Sequence, residues 1–130
     1  MVVTGATMVL VDSCFLIDLF EADAGAIAKL DEFDWHDASV STLTVTEVGR
    51  GLPESRRDRF ESIIERVDVL PYGFDEARRA IAEHRRLRSA GTPIGAVDTM
   101  IAATAIAVNK PVLTRNVAEF QRTRAAVTPY

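Results

Sequence analysis

The apolar positions of this chain switch back and forth between short continuous runs and helical spacing. Met8 to Val11 is an apolar run that Asp12 and Ser13 interrupt, after which Phe15, Leu16, Leu19 and Phe20 recur at helical intervals. A buried strand that turns directly into a helix has this pattern. Ala24 to Phe33 is a second amphipathic stretch, with Ala24, Ile27, Ala28 and Leu30 as its expected inner face, and Trp35 and His36 read as loop or edge packing. Ala38 to Ser41 is a second short strand. Thr42 or Thr44 is then placed to cap a helix carrying Val45, Glu47 and Val48, which stops near Gly49 to Gly51. Pro53 opens a further helix with Phe60, Ile63, Ile64 and Val67 as its buried stripe.

Val67 to Pro71 fits a third strand. A long helix follows from about Asp75 to Ser89, with Ala77, Ala80, Ile81 and Leu87 expected inward and Gly91 closing it. Gly95 opens the next helix, where Val97, Ile101, Ala105 and Val108 form one stripe and Ala102, Ala103 and Ala107 keep the other face small. A helix that is apolar all round belongs against the sheet. Pro111 to Leu113 is a fourth strand, Thr114 to Asn116 a polar turn, VAEF a short helix, and Ala125 to Thr128 a final edge strand. Strands alternating with helices imply an α/β fold whose parallel sheet of four to five strands is covered on both faces.

Composition narrows the class. With 130 residues, 48% hydrophobic and 26% charged, the chain is expected to be one globular domain spanning 1–130. Residues 1–7, MVVTGAT, add little pattern and read as a short disordered extension. Met1 to Thr7 lacks the features of a signal peptide, and no apolar run reaches membrane-spanning length. The one cysteine, Cys14, cannot form an internal disulfide, which fits a reducing compartment, so a cytoplasmic protein is expected. A net charge of −4 opposes strong sequence-independent binding to nucleic acid. Two arginine clusters, RRDR at Arg56 to Arg59 and RRLR at Arg85 to Arg88, are either local RNA-facing patches or solvated helix faces paired with acids such as Glu54, Glu61 and Glu83.

Four acids carry the candidate chemistry: Asp12, Glu47, Asp98 and Glu119, each just beyond a strand or early in the next helix. In a parallel sheet such positions open on one edge, where ligands bind. Asp12 alone reads equally as a helix cap, and Asp98 is costly in a buried helix without a compensating cation or donors. Gathered carboxylates repel one another and lose charge unless a cation joins them. Oxygen donors without His or Cys favour Mg²⁺ or Mn²⁺ over Zn²⁺, and carboxylate-held ions of that kind serve phosphoryl transfer.

These residues also resemble a family. MVLVDSCFLIDLF, the Thr-Glu pair of STLTVTEVGRG, GTPIGAVDTMIAATA and LTRNVAEF are similar, in order and separation, to the motifs of PIN-domain ribonucleases, most closely the VapC-type toxins. The resemblance implies a three-layer α/β/α sandwich and Mg²⁺- or Mn²⁺-dependent endonucleolytic cleavage of RNA. It makes Asp12 and Asp98 the principal metal ligands, with Glu47 completing the shell directly or through water. Glu119 would be the fourth acid, where many members carry Asp, so it ligates directly or by a water bridge. Asn116 would hydrogen-bond near the metal or phosphate, and Ser13 matches the small hydroxyl residue after the first Asp. Arg115 adjoins the site and is the first candidate for an RNA phosphate contact. A homodimer and a cognate antitoxin protein are implied as well.

Other classes fit less well. An aspartyl-nucleophile phosphatase needs a second Asp at position 14, which is Cys14; a receiver domain needs a late-strand Lys, and Lys110 precedes its strand; a dinucleotide site needs a glycine-rich turn after Val11. Within the family, the alternatives are an RNA-processing nuclease outside any toxin pair and a non-catalytic PIN-like module that binds RNA or protein.

Overall fold

Strand alternation decides which side chains of the central strand face which layer. In the computed structural model, which describes residues 8–130, β1 (Val9–Val11) is fully buried. Val9 and Val11 enter one core with Phe15, Leu16, Phe20, Trp35, Phe60 and Ile63, while Leu10 enters a second with Ile101, Ala102, Val112, Phe120 and Val127. A period of two on a strand buried on both faces therefore builds two cores at once. The expectation for residues 1–7 lies outside the described residues.

The elements follow in order: α1 (Ser13–Phe20), α2 (Ala24–Leu30), β2 (Ala38–Ser41), α3 (Thr42–Gly49), α4 (Arg57–Arg66), β3 (Asp68–Leu70), α5 (Phe74–Ser89), α6 (Ala96–Val108), β4 (Val112–Leu113), α7 (Val117–Phe120) and β5 (Val127–Thr128). The five strands are all parallel in the order β3-β2-β1-β4-β5, with Val9 opposite Ala38 and Val11 opposite Leu113. This is the expected three-layer α/β/α sandwich. The chain builds outward from β1 on one side, then crosses to the other at β4. The crevice between the carboxyl ends of β1 and β4 is a topological switch point, where open α/β sheets bind ligands.

Helix ends follow local chemistry. The residue capping α3 is Ser41, whose Oγ accepts from the Leu43 N–H at 3.1 Å, rather than Thr42 or Thr44. Gly91 takes φ +73 and lets the Thr92 N–H reach back to the Leu87 carbonyl, so α5 closes where glycine was expected to close it. The inward stripe of α2 differs from expectation, and those of α5 and α6 differ at Ile81 and Val97 while Ala80, Leu87, Ile101 and Ala105 are buried as expected. In α2 the buried positions are Ala26 and Lys29, while Ile27 is 46% exposed. In α5 Glu83 is buried and Ile81 is 52% exposed. In α6 the central residues Ile101 to Ala105 are buried but Val97 is exposed at the first turn. Trp35 is core rather than edge packing: it meets Phe33 edge-on at 5.6 Å, and Phe15 stands between it and Tyr130.

Candidate active site

Asp12 ends β1 and caps α1, and its two carboxylate oxygens divide the work. Oδ1 accepts from the Ser13 N–H at 2.9 Å, the ordinary capping bond. Oδ2 accepts from the Thr114 hydroxyl at 2.9 Å and from the Cys14 thiol at 3.4 Å. The cap and the site are thus the same residue. Thr114 also accepts from the Asn116 N–H at 3.0 Å, and the Arg115 N–H donates to Cys14 Sγ at 3.4 Å. The turn after β4 is thereby fastened to the carboxylate after β1. Thr114 and Cys14 were not foreseen as partners of Asp12. The Thr114 contact depends on β1 pairing with β4, which lies about a hundred residues away in sequence and leaves no local signal, whereas Cys14 is only two residues from Asp12.

Asp12 is 2% exposed, and burial pushes its pKa up; the Thr114, Cys14 and Ser13 hydrogen bonds oppose that shift and the Glu119 charge adds to it. Asp98, in the first turn of α6, is half-buried and pushed up from an ordinary 3.8 to about 7. Desolvation is the largest cause, followed by the charge of Asp12, a hydrogen bond with Glu119, and the charges of Glu119 and Glu47. Asp98 therefore stands within electrostatic reach of each of the other three acids. Glu47 lies in the first turns of α3, as expected, on a half-buried position between two hollows. One is lined by Leu43, Arg50 and Val97, the other by Ile17, Leu52 and Arg56.

No three His, Cys, Asp or Glu side chains among the described residues stand as a preformed ligand cage. No cationic side chain is among the groups that shift Asp98. A set of hard oxygen donors whose charge lacks a counterion fits a divalent cation such as Mg²⁺ or Mn²⁺.

The remaining expected site residues are placed unevenly. Ser13 is half-buried beside Asp12, and Asn116 is exposed at the start of α7, with no capping bond from its side chain. Arg115 sends Nη1 to Asp18 Oδ1 at 3.0 Å. The arginine clusters split as well. Arg59 lies over the Phe20 ring at 5.4 Å and Arg86 pairs with Glu83 at 2.9 Å, so both have structural partners. An apolar groove between α5 and α6, lined by Tyr72, Ile81, His84 and Met100, contains none of the four acids.

Residues 9–126 match the PIN domain family. The chain is 31% identical over 121 residues to ribonuclease VapC of Rickettsia bellii, covering 87% of this chain and 88% of that one. It is 30% identical over 115 residues to ribonuclease VapC1 of Methanocaldococcus jannaschii, covering 88% and 79%. Its fold is similar to that of a chain in a toxin–antitoxin complex from Klebsiella pneumoniae, with a TM-score of 0.79, 26% identity, and coverage of 94% and 98%.

Proposed function

This chain belongs to the PIN domain family, and from that premise we propose that it is a Mg²⁺- or Mn²⁺-dependent endoribonuclease, the toxin of a toxin–antitoxin pair. The observation that carries the reading is the gathering of Asp12, Glu47, Asp98 and Glu119 at the switch point with Asp98 held near neutrality for want of a counter-charge. The proposed ligands are Asp12 and Asp98, with Glu47 and Glu119 completing the shell. When bound, a divalent ion supplies Lewis-acid stabilisation of the charge that builds on a phosphodiester under attack.

The chain's own groups do the rest. Thr114 and the Ser13 N–H hold both oxygens of Asp12 in place, so this carboxylate needs little reorganisation to receive a cation. Burial and the neighbouring acids raise the Asp98 pKa to about 7, so a cation bound there would compete with a proton on that carboxyl. The exposed Asn116 amide and the Ser13 hydroxyl are the proposed hydrogen-bond donors to phosphate oxygens, and Arg115 the proposed electrostatic partner. Hydrolysis then needs only a water aligned on phosphorus.

The antitoxin of this pair is proposed by likeness to the toxin–antitoxin complex from K. pneumoniae, and self-association as a homodimer by family resemblance. The whole chain is proposed to act as a single domain. No helix of the described residues is long and apolar enough to cross a membrane. The deciding experiment is cleavage of a single-stranded RNA by the purified protein with Mg²⁺, with Mn²⁺ and with chelator. Cleavage that requires the ion and disappears in Asp12→Asn supports the reading; RNA left intact under all conditions overturns it.

A further inference from the structure

Asp18 is a second buried acid on the same face of α1, one turn beyond Cys14. It is 4% exposed, and both its oxygens are engaged: Oδ1 by Arg115 Nη1 at 3.0 Å and Oδ2 by the Tyr130 hydroxyl at 2.7 Å. Tyr130 is itself held, its ring meeting Phe15 edge-on with centroids 5.0 Å apart. Burial and the hydrogen bond to Asp18 push the phenol pKa up, so it remains a donor across the working range of pH. Arg115 differs from its partners in being open: its side chain is 61% exposed. A guanidinium carries five N–H donors, and the bond to Asp18 uses one nitrogen, which leaves donors facing solvent.

The location gives that exposed charge a use. The Arg115 backbone is two hydrogen bonds from Asp12, through Cys14 Sγ, in the turn that links Thr114 to Asn116. An arginine on the turn that adjoins Asp12 would be drawn toward the carboxylates of the rim if its side chain were free, cancelling charge a metal needs. Asp18 prevents this by offering a fixed, desolvated anion on the neighbouring turn of helix.

We propose that Asp18, braced by Tyr130, is a positioning residue that holds the guanidinium of Arg115, on the turn that adjoins Asp12, as a contact for an RNA phosphate. This rests on the nuclease reading above. The side chain is pre-ordered, so RNA binding does not carry the entropy cost of immobilising a free arginine. A merely structural pin would act on stability alone, whereas this arrangement acts on substrate affinity and its salt dependence.

The test uses the full chain and a labelled single-stranded RNA, with affinity measured in chelator over a range of salt and cleavage measured in Mg²⁺. Arg115→Gln and Asp18→Asn are each expected to raise Kd and KM about fivefold with kcat little changed, and to reduce the slope of log affinity against log salt by about 0.7, the loss of one phosphate contact on a single strand. The double variant is expected to be no worse than either single variant, because both remove one interaction. Arg115→Lys should keep the salt slope. Tyr130→Phe, which removes a single hydroxyl, should move Kd in the same direction by a smaller factor. If Asp18→Asn or Tyr130→Phe lowers the melting temperature yet leaves Kd, KM and slope at the parent's values, the residues are pins and the proposal falls while the nuclease reading stands. Should the parent itself neither bind nor cleave RNA, both fall together.

Discussion

The acids around Asp98 and the acid at Glu83 are both drawn out of water, yet their surroundings push them in opposite directions. Glu83, 4% exposed in α5, accepts from Arg86 Nη2 at 2.9 Å and from the Arg124 backbone N–H at 3.1 Å, with the Arg124 guanidinium 3.6 Å away. Burial raises its pKa, but those donors and charges outweigh burial and hold the carboxyl below its usual range. Arg86 also donates to the Arg122 carbonyl, so the cluster ties α5 to the segment after α7. At the rim of the sheet the neighbours are Asp12, Glu47 and Glu119, and Asp98 rises to about 7. A buried acid is therefore no mark of a site. What separates the two regions is whether the fold supplies the counter-charge or leaves it to a ligand.

Substitution should break this contrast most sharply. Asp98→Asn or Asp12→Asn is expected to reduce RNA cleavage by about a thousandfold or more, since metal stabilisation of the reacting phosphate is worth several kcal/mol. In chelator, Asp98→Asn should melt no lower than the parent, because it removes a repelled charge. Cleavage near the parent rate would remove that residue from the site. Glu119→Gln is expected to cost about tenfold, as for a water-bridged partner; a loss as large as that of Asp98→Asn would make Glu119 a direct ligand. Glu83→Gln should do the reverse of Asp98→Asn, lowering stability by about 1–3 kcal/mol in chemical denaturation while folded molecules keep the parent rate.

The smallest effect is one of pH, and its sign differs between the two regions. Asp98 binds a proton more tightly in the folded chain than in the unfolded one, so its contribution is fully present below about pH 4 and is lost as pH rises through about 7. Glu83 is lowered, so its contribution is present above its ordinary 4.5 and is lost on acidification. Unfolding in chelator between pH 5 and 8, compared for the parent and Asp98→Asn, should show a downward slope only in the parent. Mn²⁺ should bind more tightly as pH rises through that range and release protons, which calorimetry in buffers of different ionisation enthalpy detects. A pH-independent affinity would contradict the placing of the raised Asp98 carboxyl among the metal's ligands.

Much of this was legible along the chain. Local periodicity placed β2 at Ala38–Ser41 with its observed bounds and α1 and α4 close to theirs, because an apolar run or stripe is a property of neighbouring residues. The four acids were also legible, since each sits beside a strand end or helix start that the pattern marks. Helix rotation was harder. Ile27, Ile81 and Val97 fit an inward stripe as well as Ala26 or Ala80 does, and the side buried depends on what each helix packs against.

Sequence by itself determined the alternation of strands and helices, the placement of acids at one edge and the glycine that ends α5, all of which follow from backbone geometry and side-chain chemistry within a few residues. Only the tertiary structure decided that Thr114 grips Asp12, that Arg115 is taken by Asp18, and that Arg124 from the segment after α7 joins Glu83 while no cation joins Asp98. Those outcomes depend on which distant segments meet across β1 and β4 and around α5, and electrostatic energies depend on distance in space and on burial, neither of which is written in the order of residues.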